Sequence, residues 1–328
     1  MIVRFGYVAM SAVVKNASPS KTMTATVFSS ITDREAAVRK LERLAGENLH
    51  NSLRLLRHNR AHDIKLYRFS SKLVPLLGHE MLEEWDPIPA LTPAFAETGG
   101  YAKEHGMRVS FHPDHFTVLS TPKKDILRKS LADLDRHVRM LEAMGLDESA
   151  MCNIHVGGSY GNKEEAAKRF IRNFQTMDER LARRITLEND DKTFNALETL
   201  AICEEVQVPM VLDIHHHAVN HEEDAGYGFW TRVLDTWRNN RAGIPMEDLP
   251  PKIHVSSPKS EKDPRGHADY VDKEQLLGFL RAIAPETAKL DVMIEAKMKD
   301  AALFRLMEDL RDTEGIRQIN QASVEVFA

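Results

Sequence analysis

Eight times along this chain a short apolar run is followed by a stretch whose apolar residues fall at helical spacing. The runs are apolar on both faces, as strands covered from both sides are. Strands alternating with helices build a parallel sheet with the helices outside it. Eight such units predict a single (β/α)8 TIM barrel, with its working site at the C-terminal ends of the strands. A length of 328 residues suits one barrel of this kind.

Residues 2–9 read as the first strand, with a short signal-peptide core as the alternative for that start. A helix is expected over 33–59, where Leu41, Leu44, Leu49, Leu53 and Leu56 share a face. Further strands are expected at 64–69 and then ending at His112, His155, Glu188, Asp213, Val255 and Glu295. Helices are expected over 87–105, 125–144, 163–181, 193–206, 273–283 and 301–311, with Gly106 and Gly145 placed to end two of them. Segments 15–32 and 256–270 read as loops, and 217–250 as an insertion with a helix near 230–237. The barrel is assigned to 1–313 and a C-terminal tail to 314–328.

Two cysteines, Cys152 and Cys203, cannot form a disulfide framework, which favours a reducing compartment. The net charge of −5 gives no bulk attraction to nucleic acid. Carboxylates that hold cations do not act as free anions, so that balance excludes little. No stretch approaches the roughly 20 apolar residues of a membrane span. The expectation is a soluble, cytoplasmic protein.

Six of the apolar runs end in a metal-type ligand. They are Val109-Ser110-Phe111-His112, Cys152-Asn153-Ile154-His155, Ile185-Thr186-Leu187-Glu188, Met210-Val211-Leu212-Asp213, Lys252-Ile253-His254 and Val292-Met293-Ile294-Glu295. A single histidine at a strand end is most often a hydrogen-bonded structural residue. One ligand on each of six strands is hard to reach by accident, and barrel closure would bring them together. His216, three residues after Asp213, and His267, in the loop after the seventh strand, add to the set. Mixed imidazole and carboxylate donors suit Zn2+, Mn2+ or Fe2+ better than Ca2+ or Mg2+ alone. The donors are too numerous for one ion.

Strand alternation sorts the neighbours. Asn153 should point inward with His155, Thr186 with Glu188, Lys252 with His254, Ser110 with His112, and Arg68 with Ser70. Cys152 should face the helices as a core residue. Lys252 is either a salt-bridge partner or a lysine carboxylated by CO2 that bridges metals. His215 and His217 read as loop residues, and His50, His58, His62, His105 and His137 as solvated positions on or beside helices.

The strings Tyr67-Arg68-Phe69-Ser70-Ser71, His112-Pro113, Asn153-Ile154-His155-Val156-Gly157-Gly158, Leu187-Glu188-Asn189-Asp190, Asp213-Ile214-His215-His216, Lys252-Ile253-His254-Val255-Ser256-Ser257 and Glu295-Ala296-Lys297 resemble the UV damage endonucleases. Those are DNA-repair enzymes on a TIM barrel, related in fold to endonuclease IV. The resemblance covers roughly residues 1–300. It implies a cluster of up to three ions, Mn2+ foremost with Mg2+, Zn2+ or Fe2+ as alternatives. The ligands it implies are His112, His155, Glu188, Asp213, His216, His254, His267 and Glu295, with Lys252 joining if carboxylated. His79 matches a histidine near the site, and Tyr7 a tyrosine that probes the lesion. Where the family shows a Gln-Tyr wedge, this chain has His115 and Phe116.

The reaction so implied is hydrolysis of the phosphodiester immediately 5′ to a UV photoproduct in double-stranded DNA, whether a pyrimidine dimer or a 6-4 photoproduct. Glu188, Glu295, Lys252 and His79 are its candidate catalytic residues. Tyr7, His115, Phe116, Arg68, Lys259 and Arg265 are candidate DNA contacts, with Lys262, Lys123 and Lys124 as further phosphate partners. A monomer without membrane attachment is expected. Rival readings are a metal-dependent sugar isomerase or epimerase and a damage-binding protein that does not cut. An amidohydrolase fits less well, because no His-x-His ends the first strand.

Overall fold

The computed structural model describes residues 1–221 and 226–327. In chain order its strands are β1 (Ile2–Val8), β2 (Leu66–Arg68), β3 (Arg108–Phe111), β4 (Met151–His155), β5 (Ile185–Glu188), β6 (Met210–Asp213), β7 (Lys252–Val255), β8 (Pro258–Ser260), β9 (Asp263–His267), β10 (Lys289–Ile294), β11 (Ile316–Asn320) and β12 (Ser323–Val326). The α-helices are α1 (Ala25–Ser29), α2 (Arg34–Ala61), α3 (Ile88–Glu104), α4 (Lys124–Ala143), α5 (Lys163–Gln175), α6 (Glu179–Ala182), α7 (Ala196–Val206), α8 (Ile214–Val219), α9 (Trp230–Arg238), α10 (Lys273–Ile283) and α11 (Lys299–Leu310).

Strands β1 to β7 and β10 pair side by side in sequence order, all parallel, and β10 pairs back onto β1. That closes an eight-stranded barrel with the helices around it, the (β/α)8 architecture expected from the alternation. The helices start where the sequence supplies caps. Asp33 accepts from Ala36 N at the start of α2, and Asn195 with Glu198 forms a full capping box on α7. Leu41, Leu49, Leu53 and Leu56 are buried on the inner face of α2. Gly106 and Gly145 follow α3 and α4 with φ of 57° and 68°, the left-handed conformation that ends a helix cheaply only for glycine.

The barrel interior is unusually polar at its lower end. Asp291 is fully buried and accepts from Arg4 Nε at 2.7 Å, Arg4 Nη2 at 2.8 Å and Arg108 Nη1 at 2.7 Å. Lys252 lies level with Asp291 on the neighbouring strand. Gly6 has no room for a side chain, because a Cβ would stand 2.3 Å from that of Leu66.

Several expectations about the connections need correction. The helix expected over 163–181 breaks after Gln175, and Asp178 caps a new one by accepting from Arg180 N. Segment 256–270 is not a loop but holds the antiparallel hairpin β8–β9. Segment 15–32 contains α1. The 217–250 insertion does carry α9, while residues 222–225 of it lie outside the described residues. Residues 314–327 are no loose tail. They form the hairpin β11–β12, and β12 pairs antiparallel with β1, burying Val324 and Val326. Residue 328 of the assigned tail lies outside the described residues.

Candidate metal centre

Each expected ligand sits near the C-terminal end of a barrel strand or in the segment that follows it. His155, Glu188 and Asp213 are the last residues of β4, β5 and β6. His112 and Glu295 follow the last residues of β3 and β10, and His254 lies in β7. His216 arrives on α8 rather than in a plain turn, because Asp213 caps that helix and accepts from His216 N at 2.8 Å.

These side chains form three groups in which one ligand atom from each residue lies within 4.8 Å of the others. The groups are His112 with His155 and Glu188, Glu188 with Asp213 and His216, and Glu188 with His254 and Glu295. Glu188 belongs to all three. His112 Nε2 stands 3.2 Å from Glu188 Oε2, and His254 Nδ1 stands 3.1 Å from both Glu188 Oε1 and Glu295 Oε1. At those distances His254 Nδ1 still lacks hydrogen-bond geometry, and its Nε2 and Asp213 Oδ2 are also buried without a hydrogen-bond partner. Buried polar atoms left so are costly. Donor atoms that converge in this way, some of them left unpaired, could hold divalent cations between them.

A second regularity orients the ring nitrogens. His112 Nδ1 lies 3.0 Å from Pro113 O, His155 Nδ1 3.2 Å from Glu188 O, His216 Nδ1 2.9 Å from Asn189 O, and His267 Nδ1 3.0 Å from Glu295 O. A carbonyl can only accept, so each Nδ1 donates there, which leaves Nε2 as the atom that would coordinate a bound cation. Asn189, which the sequence reading missed, clamps the same region. It exchanges hydrogen bonds with the Asp213 backbone at 3.0 and 2.9 Å.

The electrostatics follow from packing charges in a buried place. Burial alone would raise the Glu188 carboxyl, but the imidazoles of His254 and His155 hold it well below the usual range. Glu295 behaves alike, with burial opposed by Arg68 and His254. Arg68 donates directly to Glu295 Oε1. Asp213 is pushed up to about 6 by burial, despite the opposing His216. Burial pulls His216 down, yet Asp213 and Glu188 raise it to about 9. Lys252 is lowered to about 7, first by burial and then by Arg108 and Arg68. Among the described residues no carboxylate lies within salt-bridge distance of its amine, so the plain salt-bridge reading of Lys252 does not hold.

The other expected residues are placed unevenly. His267 stands beside the cluster, its ring centroid 6.3 Å from that of His216, but joins none of the three groups. His79 caps a short 3-10 turn through Nδ1 and lines a separate cavity with Asp114 and Phe116. His115 and Phe116 lie with ring centroids 4.0 Å apart and planes tilted by 38° on the loop after β3, and Phe116 is 73% exposed. Lys259 and Arg265 are exposed on the β8–β9 hairpin, where Lys259 pairs with Asp263 and Arg265 Nε donates to Asp191 O. Lys262 is exposed there too, and Lys123 and Lys124 are exposed at the start of α4. Arg68 is engaged inside the barrel by Glu295 rather than offered at the surface.

Tyr7 requires a correction. It is fully buried on the helix side of β1, and its hydroxyl donates to Asn59 Oδ1 at 2.8 Å. Strand parity puts Arg4 and Gly6 inside and Tyr7 outside, so its ring cannot meet a substrate at the site. His215 and His217 are likewise buried on α8 rather than in a loop, and His215 reaches Ser256 Oγ and Pro264 O. His137 is buried, and His58 pairs with Asp300, so neither is a solvated residue. Cys152 is buried in the core, its thiol pushed up to about 12 by burial.

Fold and site together define a (β/α)8 protein with a histidine- and carboxylate-rich cluster at the C-terminal face of its barrel, a donor set that could hold divalent cations. The chain matches the model of the family described as UV-endonuclease UvdE over residues 3–327. It belongs to that family. It is 45% identical over 326 residues to a UV DNA damage endonuclease of Halalkalibacterium halodurans, covering 99% of each chain. A UV DNA damage endonuclease of Bacillus cereus is 40% identical over 325 residues, covering 99% of this chain and 100% of the other. The crystal structure of SacUVDE superposes with a TM-score of 0.80 at 26% identity, covering 94% of this chain and 98% of that one. Endonuclease IV from Thermus thermophilus shares the fold, with a TM-score of 0.52 at 15% identity over 93% of this chain and 98% of its own.

Proposed function

We propose that this protein is a DNA-repair endonuclease that hydrolyses the phosphodiester immediately 5′ to UV photoproducts in duplex DNA, with up to three divalent cations, Mn2+ foremost. The observation that carries this reading is Glu188, one buried carboxylate shared by three ligand groups. A single ion would need only one such group. Family membership supports the choice of damaged DNA over a sugar substrate.

His112, His155, Asp213, His216, His254 and Glu295 would hold the cations around Glu188, with His267 at the edge. Bound cations would supply a water acidic enough to attack at neutral pH, and charge to offset that of the phosphate oxygens and the departing 3′-oxygen. Arg68 keeps Glu295 ionised and aimed. Asn153 donates to Glu188 Oε2 and takes a hydrogen bond from Thr186 Oγ1 at 2.7 Å, which fixes the shared carboxylate from below. Lys252, lowered to about 7, is partly neutral near pH 7, and a neutral amine can take up CO2 and become a further ligand.

The exposed Phe116 ring, with His115 beside it, would fill the space left when damaged bases leave the stack. A cross-linked pyrimidine pair stacks poorly, so extruding it costs less than extruding intact bases. Lys259, Lys262, Arg265, Lys123 and Lys124 would meet the phosphate backbone from the rim. A cytoplasmic monomer is part of the proposal, and no helix among the described residues is long and apolar enough to cross a membrane.

An end-labelled duplex bearing one cyclobutane dimer tests the reading. With Mn2+, incision should fall at the bond directly 5′ to the dimer and leave a 3′-hydroxyl. Glu188→Gln should abolish incision while its circular dichroism matches the parent's. Cutting at another position would overturn the assigned bond, and an active Glu188→Gln would overturn the shared-ligand role.

A further inference from the structure

The loop after β4 presents an aromatic side chain that the metal centre does not use. Tyr160 is 46% exposed, and its backbone lies in the left-handed region with φ of 49°. Bulky L-residues avoid that conformation, and where it persists it clusters at functional sites. Two further features hold the ring in place. The Arg169 guanidinium lies 5.6 Å from its centroid, and Arg169 Nε donates to Ser120 O at 2.6 Å, so the cation is fixed. The ring also rests against Gly158, where a Cβ would stand 3.4 Å from Tyr160 Cε2.

Gly158 lines a cavity of about 350 Å3 that also contains His112, His155 and His216. Another wall of that cavity is the loop bearing Phe116. Strands β3 and β4 are neighbours, so the two loops rise side by side and carry an exposed aromatic ring each. Resting on the nuclease reading above, we propose that Tyr160, backed by Arg169, is a second base-stacking contact for substrate DNA. A strand crossing the metal centre would lay one nucleobase on the Tyr160 ring and bring its phosphate toward the Arg169 cation.

The test compares Tyr160→Phe, Tyr160→Ala and Tyr160→Gly with the parent. Two quantities are read: kcat/KM for a UV-irradiated duplex with Mn2+, and Kd for a single-stranded oligonucleotide with EDTA present. Tm is measured alongside. The Phe variant should stay within about twofold of the parent in both. The Ala and Gly variants should lose roughly 5- to 150-fold, the range for one stacked base. Tyr160→Gly should keep its Tm, because glycine adopts this φ freely. Unchanged values in Ala and Gly would overturn the proposal, as would an equal loss in Phe. A parent that binds the oligonucleotide through this ring but spares UV-damaged duplex would instead overturn the nuclease reading.

Discussion

At the scale of single residues, the barrel separates charges that bind from charges that hold the fold. Asp291 is buried in the barrel and pairs with two arginines at once. Removing one member of a buried pair leaves the other uncompensated, which costs about 3–5 kcal/mol. Asp291→Ala should therefore lower the urea midpoint by that equivalent without changing the m-value, and a loss below about 1 kcal/mol would contradict the role given to it. The convergence of the strand-end His, Asp and Glu side chains was legible in sequence, because the period of a strand and closure of the barrel fix where a terminal His or Glu must point. Tyr7 was misjudged although the same parity already placed it outside, opposite Gly6. The carbonyl anchors of His112, His155, His216 and His267 had no sequence signal, since any residue supplies a carbonyl. Asn189 could have been found as the polar residue next to Glu188, but its clamp on Asp213 depends on the spacing of β5 and β6.

At the scale of elements, helix packing rests on one close approach. A Cβ on Gly99 of α3 would stand 1.9 Å from Met144 O at the end of α4, whereas one on Gly100 would meet nothing within 4 Å. Neighbouring Gly→Ala changes should thus have opposite signs. Gly100→Ala should stabilise by up to about 1 kcal/mol through helix propensity, while Gly99→Ala should destabilise by about 1–3 kcal/mol through overpacking. Thermal unfolding of the two variants checks this, and a shared sign would contradict it. The long helices and barrel strands were legible because periodicity accumulates over many residues. The hairpins were harder. β8 and β9 are three and five residues of exposed, charged chain with no apolar face to announce a strand. β12 does alternate, as Ser323-Val324-Glu325-Val326, but four residues carry little signal, and its partner β1 begins the chain's other end.

At the scale of the whole molecule, the net charge of −5 supplies no bulk attraction to DNA. Glu188, Asp213, Glu295 and Asp291 are turned into the barrel, but Arg4, Arg68, Arg108 and Lys252 are turned in with them, so a DNA partner is argued from where the basic residues of the barrel rim stand and not from the total. Two lysines and an arginine on the β8–β9 hairpin and two lysines at α4 stand on that rim. This rim and the Glu188 cluster are together proposed to serve incision of UV-damaged DNA. The most direct test is nicking of supercoiled plasmid at rising UV dose, with Mn2+ or with EDTA. The prediction is nicking that increases with dose in Mn2+ and vanishes in EDTA, with unirradiated plasmid spared. Equal nicking of irradiated and unirradiated plasmid, or none with Mn2+ present, would contradict it.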